Sequence, residues 1–81
     1  MKGAHIVKHS ISIAGHQTSF SLEEIFWNAL KSISEERNIS VRALISQIDS
    51  SRGEQNLSSA IRVYVLENLK QKLETAQQSE K

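Results

Sequence analysis

Residues 15–48 read GHQTSFSLEEIFWNALKSISEERNISVRALISQI, and this stretch decides the fold. It opens on an alternating run, Gln17-Thr18-Ser19-Phe20-Ser21-Leu22, the period of a half-buried strand. A helix-period segment follows at once. Asn38-Ile39 breaks it, and Ser40 opens a second helix. So short a strand is not stable alone, because its backbone donors and acceptors need a second strand. The stretch contains none, and a second copy of the chain is the simplest source. The expectation is a strand paired across a dimer, with two helices behind it.

Upstream, residues 7–14 alternate as well. Val7, His9, Ile11 and Ile13 share one face, and Lys8, Ser10 and Ser12 the other. Ala14-Gly15-His16 reads as a tight turn, with Gly15 supplying any positive φ. The two runs form either a hairpin or two strands used differently. Residues 1–6 read as a mobile arm.

The first helix is expected over residues 22–37. Leu22, Ile25, Phe26, Ala29, Leu30 and Ile33 repeat at the spacing of one apolar face. Ser21 and Glu24 have the spacing of a capping box. Trp27, at the edge of the stripe, reads as partly buried at a helix or subunit contact. Asn38 suits a left-handed position after the helix, and Ser40 suits the cap of the next. Val41, Leu44, Ile45 and Ile48 are the buried stripe of that second helix. Residues 50–55 (SSRGEQ) form a linker around Gly53. A third helix, capped by Asn56 or Ser58, is expected over residues 57–73. Its apolar residues cover more than one face, which in so short a chain again implies a partner subunit. Residues 74–81 read as a polar tail, leaving a single domain over residues 7–73.

With 81 residues and no cysteine, the chain has a modest core and no disulfide or thiolate metal site to reinforce it. Oligomerisation is then the expected stabiliser. The first ten residues lack the apolar core of a signal peptide, and no run approaches a membrane span. A cytoplasmic setting is expected. The net charge is only +1. Its distribution is uneven: residues 1–22 carry Lys2, Lys8 and three histidines but no acid. Arg37, Arg42 and Arg52 surround the second helix.

Three blocks stand in order: SISIAGHQTS at residues 10–19, SLEEIFWNALK at 21–31 and NLSSAIRVYVLENL at 56–69. Together they resemble a small bacterial family within the ribbon-helix-helix superfamily of DNA-binding proteins, over about residues 8–70. The resemblance implies a mainly α fold with a short β-ribbon, a ribbon-helix-helix homodimer, here with an extra N-terminal strand and a third helix. It implies double-stranded DNA as partner, with a two-stranded antiparallel ribbon in the major groove. Outward residues of the strand before the first helix would touch base edges: Gln17, Ser19 and Ser21. If the upstream strand forms the ribbon instead, Lys8, Ser10 and Ser12 take that role. The superfamily ribbon leads straight into its first helix, which favours the former. Ser40 and the Val41 and Arg42 amides would meet phosphate. Phe20, Leu22, Phe26, Leu30, Ile33, Leu44, Ile45 and Ile48 would form the dimer core. The sequence departs from the simplest pattern at Asn38, where glycine is common, and in having no Arg or Lys within residues 17–21.

The chemistry of these residue types agrees. Glutamine offers the amide pair that suits adenine, and serine donates or accepts at several bases. Amides at a helix start attract anions. The simplest other role for Gln17, Ser19 and Ser21 is a solvated strand face, and for Ser40 a plain helix cap. His9 and His16 flank the possible hairpin and could approach each other, but two imidazoles without cysteine or carboxylate make a poor metal site; they read instead as exposed, or as phosphate contacts when protonated. No metal or cofactor is expected. There is no phosphate loop, nucleophile elbow or paired acid-base set, so catalysis is not expected. Two function classes follow. One is a sequence-specific DNA-binding dimer, a repressor or autoregulator. The other is a protein-interaction or antitoxin-like dimer whose C-terminal helix holds a partner.

Overall fold

The computed structural model describes residues 5–79; residues 1–4 and 80–81, which fall in the expected arm and tail, lie outside the described residues. Two strands precede three helices: β1 (Ile6–Ile13), β2 (His16–Glu23), α1 (Glu24–Glu36), α2 (Val41–Ser51) and α3 (Leu57–Ser79).

Of the alternatives open in the sequence, the chain adopts the hairpin. β1 and β2 pair antiparallel, with Ile13 opposite His16, His9 opposite Phe20 and Ile6 opposite Glu23. A second copy, the simplest source of a partner for β2 in the sequence, is thus not what supplies it here: β1 of the same chain occupies one of its edges. The connection is the two-residue loop Ala14-Gly15, with φ of 51° and 82°. Positive φ at both loop residues is what the favoured hairpin turn requires, since it matches the strand twist. Glycine adopts this freely, whereas alanine is held there against a steric penalty.

Pairing with β1 carries β2 through Glu23, two residues further than the helical pattern suggested. Glu24 N–H, the first of the helix, donates to His5 C=O at 2.7 Å, continuing the ladder. The expected Ser21–Glu24 capping box does not form. The cap position falls on Glu23, without a side-chain cap bond, while Ser21 remains in the strand.

The junction from α1 to α2 follows the sequence. Asn38 sits at φ 59°. Its N–H donates to Glu35 C=O at 3.1 Å, and the next N–H, of Ile39, reaches back to Ser34 C=O at 3.0 Å. These bonds close the end of α1. Ser40 Oγ then accepts from Ala43 N–H at 3.0 Å and caps α2. At α3, Asn56 is the cap, accepting from Ser59 N–H at 2.8 Å. Ser58 turns elsewhere: its hydroxyl donates to Ser21 C=O at 2.6 Å.

Leu22, Leu30, Leu44, Ile45 and Ile61 are fully buried at the centre of one core, where the inner face of the hairpin meets the three helices. Ile13, Phe20, Ile33, Ile48, Leu57, Ala60 and Val65 complete it, and Phe26, Trp27 and Tyr64 pack on it half-buried. Ile25, placed in the apolar stripe by its spacing, is exposed instead. On α3 the burial ends at Val65, and the helix continues as one rod through residues read as tail.

Candidate nucleic-acid interface

Strand alternation and register together build one surface. Lys8 stands opposite Ser21, Ser10 opposite Ser19 and Ser12 opposite Gln17. All six side chains are exposed, while their neighbours Ile13, Phe20 and Leu22 are buried on the other face. The two candidate reading sets, one per strand, thus lie side by side on the outer face of a single ribbon. These six positions hold hydroxyls, one amide and one ammonium; Glu23, next on the same face at the end of β2, adds a carboxylate that Arg62 holds. Across its middle the Ser10 and Ser19 hydroxyls share a hydrogen bond of 3.1 Å.

The pairing phase decides which backbone groups remain free. The Glu24-to-His5 bond makes His5/Glu24 a hydrogen-bonded pair. In an antiparallel ladder such pairs alternate, so Phe20/His9 and Leu22/Val7 bond in the same way. The N–H and C=O groups of Gln17, Ser19, Ser21 and Glu23 therefore point to the outer edge of β2, away from β1. Ser58 reaches the Ser21 carbonyl there. No described hydrogen bond reaches the outer-edge backbone groups of Gln17 and Ser19.

Beyond Ser58, Arg62 holds the Glu23 carboxylate through two nitrogens, at 2.8 and 3.2 Å. The hydrogen bond from Arg62 keeps the Glu23 carboxyl below its ordinary pKa. Ser58, Arg62, Leu66, Leu69 and Leu73 fall at steps of three and four, one stripe of α3. The stripe that flanks the β2 edge thus continues into Leu66, Leu69 and Leu73, which are 58%, 54% and 62% exposed. The wide apolar arc read from the sequence is real, but within one chain α3 buries only one side of it.

The start of α2 presents a second feature. Ser40 Oγ takes the Ala43 N–H, and Ser40 C=O takes that of Leu44 at 3.0 Å. The first amides, of Val41 and Arg42, have no partner within the helix. Arg42 is exposed. Several other cations are committed to carboxylates: Arg52 to Asp49, Arg62 to Glu23 and Lys72 to Glu36. Neither Lys8 nor Arg42 has a described ion pair. No described hydrogen bond joins the α2 start to the ribbon face.

The residues expected to form a dimer core lie together in one chain: Phe20, Leu22, Leu30, Ile33, Leu44, Ile45 and Ile48 are buried, with Phe26 packed on them. His9, read as exposed or as a phosphate contact, is instead half-buried on the inner face. Its ring stacks on Trp27 at 3.9 Å and on Phe20 at 5.4 Å. Burial pushes the imidazole below its ordinary pKa, and Nε2 has no partner. His16 stands at the turn, opposite Ile13. With strands rising about 3.3 Å per residue, His9 and His16 lie roughly 13 Å apart along the ribbon and do not approach each other. Among the described residues no group of three or more histidines and carboxylates is arranged to hold a metal. No described helix is long and apolar enough to cross a membrane.

Sequence reasoning missed the Ser58 and Arg62 contacts to β2. Their i, i+4 spacing was visible, but nothing local showed which strand they would face. In comparison with known proteins, a family model described as a ribbon-helix-helix domain matches residues 6–69. No curated protein and no solved structure matches the chain.

Proposed function

Because the chain belongs to the ribbon-helix-helix domain family, whose members are typically DNA-binding regulators, we propose that it is a sequence-specific DNA-binding homodimer acting as a transcriptional repressor or autoregulator. The observation that carries this reading is the outer face of the ribbon. Lys8, Ser10, Ser12, Gln17, Ser19 and Ser21 converge on it from both strands, with no acid among them. A two-stranded ribbon is of a size to enter the major groove, and these side chains can satisfy base edges and phosphates.

The dimer forms through the outer edge of β2. Free N–H and C=O groups at Gln17 and Ser19 pair with those of the same strand in a second copy. Exposed strand edges are commonly guarded by charge, lysine above all. β1 carries Lys8, whereas residues 17–21 of β2 carry no charge. Leu66, Leu69 and Leu73 continue along the same side of the molecule and are covered by the second subunit. Pairing places two copies of Gln17, Ser19 and Ser21 at the centre of the sheet as base readers. Ser40, with the Val41 and Arg42 amides, meets phosphate at the start of α2, where backbone donors and the helix dipole favour an anion.

Gel-shift titrations test these roles. Gln17→Ala blunts discrimination between operator and unrelated duplex, and Arg42→Ala weakens both about equally. Unchanged binding in both variants refutes the assignments. The exposed apolar stripe of α3 favours one other reading, a dimer module holding a protein partner. A stable dimer that ignores DNA at low salt supports that reading instead.

A further inference from the structure

The width of the sheet carries a further step, which rests on the DNA-binding dimer proposed above. Neighbouring strands lie about 4.8 Å apart, so a β1-β2-β2-β1 sheet across the dimer would span roughly 14 Å between its outer backbones. The major groove is about 12 Å wide and takes a two-stranded ribbon. The two β2 strands therefore fill the groove, and each β1 lies over a groove wall, where the phosphates run. We propose that β1 is a phosphate-clamping strand and that base reading is confined to β2.

The side chains of β1 suit that position. Lys8, Ser10 and Ser12 face outward, in line with Ser21, Ser19 and Gln17. An ammonium and hydroxyls are groups that bind phosphate oxygens without reading sequence. Lys8 is exposed and has no described carboxylate partner, so its charge is free for the backbone. Ser10 is joined to Ser19 at 3.1 Å, which ties the clamping strand to the reading strand at the middle of the face. Were the hairpin of one chain to enter the groove alone, Lys8 would lie over base edges and act as a specificity residue. The two arrangements make opposite demands on the same side chain.

The test is a salt titration by fluorescence anisotropy with two probes: a duplex selected by the wild-type protein from a random pool, and a mixed-sequence duplex. Lys8→Ala weakens both probes by the same factor and leaves their affinity ratio intact. Each dimer loses two phosphate contacts, so the slope of log affinity against log salt becomes shallower by about 1.8. Between about 50 and 200 mM salt the variant then loses roughly tenfold less affinity than wild type. Lys8→Arg keeps the wild-type slope, and thermal unfolding of both variants controls for the fold. A Lys8→Ala protein with wild-type slope, or with a collapsed affinity ratio, overturns the clamp while leaving the DNA reading standing. A wild-type protein that binds neither probe at low salt overturns the DNA reading and the clamp with it.

Discussion

Ser40 caps α2 and is proposed to face phosphate, and two substitutions separate the cap from the proposed contact. Its hydroxyl accepts from Ala43 N–H at 3.0 Å and caps α2. Removing a serine cap costs about 1 kcal/mol. For a domain of this size that lowers Tm by about 4–8 °C, at fixed protein concentration for an associating chain. Ser40→Ala should show this loss. Ser40→Asp keeps a cap acceptor and places negative charge at the positive end of the helix, worth about 0.3–1 kcal/mol. Its Tm should match or exceed that of wild type. DNA binding should move the other way. A carboxylate facing a phosphate at about 5 Å is repelled by roughly 0.8 kcal/mol in water and about 3 kcal/mol at the effective dielectric of a protein surface. The two sites of a dimer together give about 1.6 kcal/mol even at the lower figure. Tenfold weaker binding corresponds to about 1.4 kcal/mol, so Ser40→Asp should bind at least about tenfold more weakly while folding as well as wild type. Thermal unfolding by circular dichroism and anisotropy with a labelled duplex read the two effects. A Ser40→Asp protein that is stable and binds DNA like wild type would refute the claim that this helix start faces phosphate.

Other outcomes follow from the same structure. Ala14 at φ 51° carries a left-handed penalty of about 1–2 kcal/mol, so Ala14→Asn should raise Tm, and Ala14→Val should lower it; the opposite order in thermal melts would contradict the turn geometry. Burial lowers the His9 pKa from 6.5, so the unfolded chain binds a proton there more readily than the folded one. Stability from this site is full above pH 6.5 and falls as pH drops towards the folded value. Urea unfolding across this range should show that loss, and His9→Phe should flatten it. Glu23, held low by the Arg62 hydrogen bond, adds a separate loss as pH falls below 4.5. Leu66 is exposed in the single chain, so Leu66→Arg should spare the fold and halve the mass seen by light scattering. An unaltered dimer mass would place that face outside the interface.

Much of the fold was legible because local signals agreed with tertiary demands. Asn38 and Ser40 mark the α1–α2 junction by left-handed tolerance and capping, and neither depends on distant residues. Alternation along both strands placed Lys8, Ser10 and Ser12, and likewise Gln17, Ser19 and Ser21, on outward faces. That the two faces are one surface was not legible, because register depends on the turn. A loop of Ala14-Gly15 requires positive φ at alanine, which local propensity disfavours. The Ser21–Glu24 spacing misled for a related reason: pairing with β1 satisfies the backbone through Glu24, so the strand runs on where a helix cap would begin. His9 was correctly placed on the inner face by alternation. Its stacking on Trp27 joins residues far apart in sequence, and no spacing rule exposes it. On α3 the sequence shows the width of the apolar arc but not what covers each side.

The most direct test of the central claim is binding of the purified protein to DNA fragments from around its own coding region, over a range of salt, with mass measured in the same buffer. The expected result is a dimer that selects particular fragments and loses affinity steeply as salt rises. A stable dimer that binds no fragment even at low salt would contradict it.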